Sequence, residues 1–259
     1  LNEAKQSLEK MILEKKFGQA SERVVIEEYL NGIEVSSFVL TDGDSYKIFP
    51  MAKDYKRIGV GDTGLNTGGM GAISPVPFVD QKLYQKIENQ IIQPTINGLK
   101  KDKIDYTGFL FIGLMIVKNE PYVIEYNVRL GDPETEAILP RIESDLLEIF
   151  LQLKSSQLQT SNLKVSDLFS STVMTVSKGY PEKYEKGKII TGLDCKNESF
   201  LFHSGTKIEG QNIVTSGGRV IAVTSMDKDL KIALEKSYKT ISKIDFDGKT
   251  FRNDIGFDL

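Results

Sequence analysis

The sequence predicts an α+β fold in two parts: an antiparallel sheet with helices over residues 1–153, and a smaller α+β domain over 165–259. Three observations lead there. Strand-length apolar runs are joined by turn signals, Asp42-Gly43-Asp44 and Lys118-Asn119-Glu120-Pro121, which pair neighbours antiparallel. Residues 154–164 form a polar stretch low in aromatics, the composition of a boundary. Beyond it lie short strand patterns, turns at Gly179 and Gly217-Gly218, and one helical stripe.

In chain order, Ala4, Leu8, Met11 and Ile12 make one stripe of an amphipathic helix that Gly18 stops. Arg23 to Leu30 reads as a strand, Asn31-Gly32 as a turn, and Ile33 to Leu40 as a second strand with Glu34 at its start. The Asp42-Gly43-Asp44 hairpin returns through Tyr46, Ile48 and Phe49. Asp80 caps a long helix reaching Lys101, which Pro94 should kink or divide. Two strands follow, Thr107 to Val117 and Tyr122 to Asn127, then a helix from about Ile142 to Leu153. Strands near 171–177, 200–203 and 219–224 and a helix from Lys228 to Ile241 complete the chain.

Composition excludes several function classes. With 33 basic and 36 acidic residues the net charge is -3, which supplies no field for nucleic acid. No apolar run approaches a membrane span, and no signal-peptide pattern is present, so neither a nucleic acid nor a membrane is expected as partner. A single cysteine, Cys195, rules out an internal disulfide and fits a reducing cytoplasm. The lone His203 excludes a histidine-rich metal site. The chain opens on Leu1 and directly on an amphipathic helix, which reads as a piece of a longer protein.

Chemistry concentrates in two stretches. Tyr122 to Glu125 reads as a buried strand that then places Glu125, Asn127 and Arg129 at alternate positions, converging on one face, with an edge strand bearing a solvated polar face as the alternative. Carboxylate and amide oxygens are hard ligands suited to magnesium, and an arginine grips phosphate or carboxylate with two prongs. The second stretch, Lys53 to Pro77, has no periodicity and reads as a glycine-rich loop. Glycines let backbone amides approach a ligand, while Lys53, Asp54, Lys56, Arg57 and Asn66 supply charge and hydrogen bonds. Such a loop is expected to be mobile until ligand orders it.

These stretches together resemble the ATP-grasp enzymes, most closely the phosphoribosylamine–glycine ligase (glycinamide ribonucleotide synthetase) family. The resemblance rests on Val25 to Leu30 with Gly32 and Glu34, on Asp54-Tyr55-Lys56-Arg57, and on Asp62 to Gly71. It rests also on Tyr106 to Leu110, Ile124 to Glu134, and Ser216-Gly217-Gly218-Arg219-Val220. It covers nearly the whole chain and implies ATP and Mg2+, with Mn2+ as a possible substitute. By that resemblance Glu27, Glu28, Tyr29 and Leu30 read adenine, Glu34 takes the ribose hydroxyls, and Glu125 and Asn127 hold metal. Arg129, Asp54, Lys56 and Arg57 serve catalysis, and Asn66, Thr67, Gly68, Gly69, Met70 and Asp132 meet the substrates. The implied reaction joins glycine to phosphoribosylamine through a glycyl phosphate, in purine biosynthesis. Leu130 stands where the family usually has phenylalanine, and Gly113-Leu114-Met115 where other ATP-grasp enzymes carry a further metal acid. The family's N-terminal domain and phosphate-covering lobe would precede Leu1, so this chain by itself is expected to fold without turning over. Two other readings stay open: a domain that binds without catalysis, and a ligase of the same fold with another amine.

Overall fold

A computed structural model describes residues 2–15, 18–155, 157–194 and 198–259; Leu1 and Cys195 lie outside the described residues. The chain divides into two compact units, Leu1–Asn31 and Gly32–Leu259. The first holds helix α1 (Asn2–Ile12) and a 3-10 turn at Gly18–Glu22. Its segment 23–31 is irregular rather than the expected strand, with Val25, Ile26 and Tyr29 exposed. A strand needs a neighbour for its N–H and C=O groups, and among the described residues none pairs with this segment.

The second unit is built on β1 (Ile33–Thr41), β2 (Tyr46–Asp54), β3 (Arg57–Gly59), β4 (Thr63–Asn66) and β5 (Gly71–Ser74). Helices α2 (Gln81–Ile87) and α3 (Gln93–Lys101) follow, joined through a π-helical turn at Glu88–Ile92, so the division expected at Pro94 falls just before it. Next come β6 (Gly108–Val117), β7 (Glu120–Asn127), α4 (Glu134–Ile138) and α5 (Leu146–Lys154). The remainder is β8 (Phe169–Ser177), β9 (Phe200–His203), β10 (Thr206–Glu209), β11 (Asn212–Thr215), β12 (Arg219–Asp227), α6 (Leu230–Ile241) and β13 (Lys249–Thr250). Among the described residues a nine-stranded sheet runs β7-β6-β1-β2-β5-β8-β12-β9, with β13 beside β8. Every pairing in it is antiparallel. The sheet passes without a break from the segment before residues 154–164 to the segment after them, through the β5–β8 ladder.

Strand alternation assigns the faces. Val35, Val39, Leu110, Ile112, Leu114 and Ile116 point to one side, where Leu83, Ile87, Ile92 and Ile96 of the helical pair close a core. Phe38, Leu40 and Phe111 point to the other, where Ile138 of α4 and Ile149 of α5 cover them. Each fully buried aliphatic side chain contributes about 1.5–3 kcal/mol, enough to hold both layers. On that second face Glu34 and Ser36 precede Phe38 on β1, opposite Met115 and Gly113, so one end of it is polar. A third core gathers Val173, Met174, Val220, Val223, Ile241 and Ile255 around β8, β12 and α6. Among the described residues no helix is long and apolar enough to cross a membrane.

Candidate functional site

The polar end of the second sheet face collects the predicted residues of β1, β2 and β7. Glu125 faces Gly113 across the β6–β7 ladder, with a bulge just beyond, and Asn127 faces Phe111. The Asn127 Nδ2 donates to Glu125 Oε1 at 3.0 Å, so the two side chains share a face as the alternation predicted. A Cβ built on Gly113 would lie 3.0 Å from Glu125 Cγ; the glycine leaves the carboxylate its room. Two hard oxygen donors on a half-open strand end fit magnesium, which keeps most of its positions for water and phosphate. The strand itself differs from expectation: β7 is the sheet's edge, and Tyr122 and Tyr126 are exposed.

Arg129 lies past the strand's end. Pairing stops at Asn127, so the alternation no longer applies, and the exposed guanidinium donates to Leu130 O at 2.9 Å. Asp54 and Lys56 are brought together with Glu34. Lys56 makes an ion pair with Glu34. Burial works against the Lys56 charge, but Asp54, Glu34 and Glu125 outweigh it and raise its pKa. Asp54 is almost fully buried, and that burial, with Glu134 beside it, pushes its carboxyl up to about 8. Arg57 is exposed on β3 and donates to Gly64 O at 2.8 Å.

The glycine-rich stretch is not a loop without structure. It forms the β3–β4 hairpin and then β5, which enters the main sheet between β2 and β8. Periodicity is missing because β4 is exposed along its whole length and β5 is buried along its whole length. Thr67 pins the turn out of the hairpin, giving its N–H and hydroxyl to Lys56 O, both at 2.8 Å. Gly69 has φ +121° and packs on Pro133, and Met70 N donates to Tyr55 O. Asn66 is exposed at the end of β4. Asp132 meets this segment through Arg219, whose Nη1 donates to Gly68 O at 2.8 Å and Asp132 O at 2.7 Å. The guanidinium also lies 3.2 Å from Asp132 Oδ1.

Two residues of this region escaped the sequence reading of roles. Arg219 joins segments 151 residues apart, a contact no local pattern encodes. Glu134 opens α4 and is buried; Ser36 donates to it at 3.0 Å, and burial raises its pKa. Its neighbour Glu136 is raised to about 7 by burial and by Asp132. Proximity to Pro133 and Gly131 was the available signal for Glu134, since a sharp turn there brings the next side chain back toward the strand end. Glu27, Glu28, Tyr29 and Leu30 belong to the first unit, the first three exposed and Leu30 half-buried. A wide cleft lined by Lys178, Tyr184, Lys188 and Asp247 contains none of the predicted residues.

Comparison with known proteins gives consistent matches. The phosphoribosylglycinamide synthetase ATP-grasp (A) domain model matches residues 1–135, and the C domain model of the same enzyme matches 170–258. A phosphoribosylamine–glycine ligase of Chlorobaculum tepidum is 44% identical over 98% of this chain and 61% of its own length. A bifunctional purine biosynthetic protein of Pichia angusta is 46% identical over 98% of this chain and 32% of its own length. The chain thus spans about three fifths or less of these relatives. The crystal structure of the phosphoribosylamine–glycine ligase of Thermotoga maritima matches with a TM-score of 0.81 at 36% identity, covering 88% of this chain and 56% of that one. A Campylobacter jejuni biotin carboxylase matches with a TM-score of 0.63 at 14% identity, covering 88% and 49%, a likeness of fold.

Proposed function

This chain belongs to the phosphoribosylglycinamide synthetase family, and on that premise we propose that it contributes to an ATP-dependent ligation of glycine to 5-phosphoribosylamine. The observation that carries the reading is the gathering of Glu34, Asp54, Lys56, Glu125, Asn127 and Glu134 at the polar end of one sheet face. Glu125 and Asn127 would hold magnesium, which when bound would neutralise phosphate charge. The amide orientation supports this, since Nδ2 is spent on Glu125 and Oδ1 is left for a cation.

Lys56, held charged by its carboxylate neighbours, would meet the phosphate or the carboxylate being activated. Its three ammonium protons let it exchange Glu34 for an anionic ligand without moving the backbone. Arg129 and Arg57, both exposed, are free to turn toward the same anions. The segment Asn66 to Met70 with Asp132 would form the wall against which glycine and the amine are oriented, with Glu34 taking the ribose. Phosphoryl transfer to glycine's carboxylate, then attack by the amine with release of phosphate, needs chiefly charge stabilisation and alignment.

The test is Glu125→Gln. In the complete enzyme, magnesium-dependent ADP release with glycine and phosphoribosylamine should fall about 10²–10³-fold. Magnesium affinity of the chain itself, by calorimetry, should fall with it while Tm holds. Unchanged magnesium binding would overturn the metal assignment, and turnover with a different amine alone would favour another ligase of this fold.

A further inference from the structure

The C-terminal segment carries a buried arginine that the proposed reaction does not use. Arg252 is only 1% exposed. Asp254 takes both its Nε and Nη2, each at 2.8 Å, a two-pronged pair that already balances the charge. The remaining nitrogen does more. Nη1 donates to Arg57 O at 3.1 Å and to Asp62 Oδ1 at 2.5 Å, while Asp254 Oδ2 accepts from Gly61 N at 2.7 Å. The β3–β4 hairpin is therefore gripped at its first strand and at its turn. The guanidinium lies 5.3 Å from the Tyr55 ring centroid and 5.8 Å from that of Phe257, fixing its plane.

We propose that Arg252 is a positioning residue that sets the β3–β4 hairpin and, through it, the aim of the Lys56 ammonium. Two consecutive carbonyls are pinned by different parts of the chain: Lys56 O by Thr67, Arg57 O by Arg252. With both held, the backbone at Lys56 has one course, and its side chain runs to Glu34. Charge balance alone would ask for Asp254 and nothing else; the contacts to Arg57 and Asp62 serve the hairpin. A lysine at this position keeps the charge for Asp254 but lacks the planar fork that reaches three partners.

The anchoring is tested on the chain itself, and only the consequence for turnover rests on the proposed reaction. Charge-assisted hydrogen bonds of this kind set an expectation of about ten- to a hundred-fold faster amide exchange across residues 57–67 in Arg252→Lys, with exchange in β1 and β6 unchanged. In the complete ligase the same variant should lose about tenfold or more in kcat with KM for magnesium-ATP held within about twofold. Asp62→Asn, which tolerates the positive φ of 54° there, should reproduce the exchange change in weaker form and carries the test if Arg252→Lys does not fold. Wild-type exchange over 57–67, or acceleration spread evenly over the sheet, overturns the proposal. Local acceleration with wild-type kcat overturns the link to Lys56. A complete ligase that is inactive in wild-type form, with locally accelerated exchange in the variant, counts against the proposed reaction and leaves the anchor standing.

Discussion

At the scale of single residues, the buried acids behave differently from surface carboxylates. Asp54 has an ordinary value of 3.8 and is pushed up to about 8 in the folded protein, chiefly by burial and then by Glu134. Between those values the folded state holds a proton that the unfolded chain has released. Stability therefore falls as pH rises through that window and levels off above it. Asp54→Asn should flatten this slope, raising Tm at pH 8 relative to wild type and changing it little at pH 4. Thermal melts across pH 4–9 check it, and an equal gain at both ends would show that Asp54 titrates normally. Glu125 and Asn127 could be singled out from the sequence because strand alternation and hard-ligand chemistry are local, whereas Asp54 and Lys56 stood out only as charges in a stretch without periodicity and through the resemblance. Glu134 and Arg219 were present in the quoted motifs without a role, because burial against Ser36 and the reach to Gly68 are tertiary facts.

At the scale of elements, the glycine-rich stretch is held far more firmly than a mobile loop. Arg219 grips it from β12, Arg252 from the C-terminal segment, and β5 ties it into the sheet. Gly69 is the tightest point: at φ +121°, a Cβ would lie 2.4 Å from Pro133 Cδ. Gly69→Ala should cost about 1–3 kcal/mol of stability and separate the 67–70 turn from Asp132 and Pro133. Urea unfolding, with the Arg219 side-chain signal followed by NMR, checks both parts; a neutral variant would mean the turn yields easily. Most helices and strands were readable from periodicity, but two kinds were not. In the short hairpins β3–β4 and β10–β11, the exposed strands β4 and β10 bury too little for alternation to show. The stretch 23–30 shows the opposite case, an apolar pattern fit for a strand but with no ladder among the described residues to join.

At the scale of the second unit, residues 154–164 mark the boundary we propose between 32–153 and 165–259, yet the two sides share a ladder. Gly71 to Ser74 pairs with Ser170 to Val173, and Lys53 and Tyr55 contact Asp258 at the far end of the chain. Limited proteolysis should cut first near Gln157 to Thr160, where Gln157, Gln159 and Thr160 are exposed, and the two products should stay together on gel filtration. Products that separate under native conditions would show that the ladder contributes little, and resistance to cleavage would move the boundary elsewhere.

The unbroken antiparallel run from β7 to β9 has a mechanical consequence. The strand bearing Glu125 and the strand bearing Arg219 are spaced by consecutive hydrogen-bonded ladders, about 4.8 Å per step. If the proposed function holds, a segment that closes over nucleotide would do so against this sheet, which would serve as its fixed reference. Fluorophores at the exposed positions Tyr122 and Phe200, one on each edge strand, should report one narrow distance that magnesium-ATP and glycine leave unchanged. A distance that shifts on ligand binding would mean the sheet flexes during turnover and is no such reference.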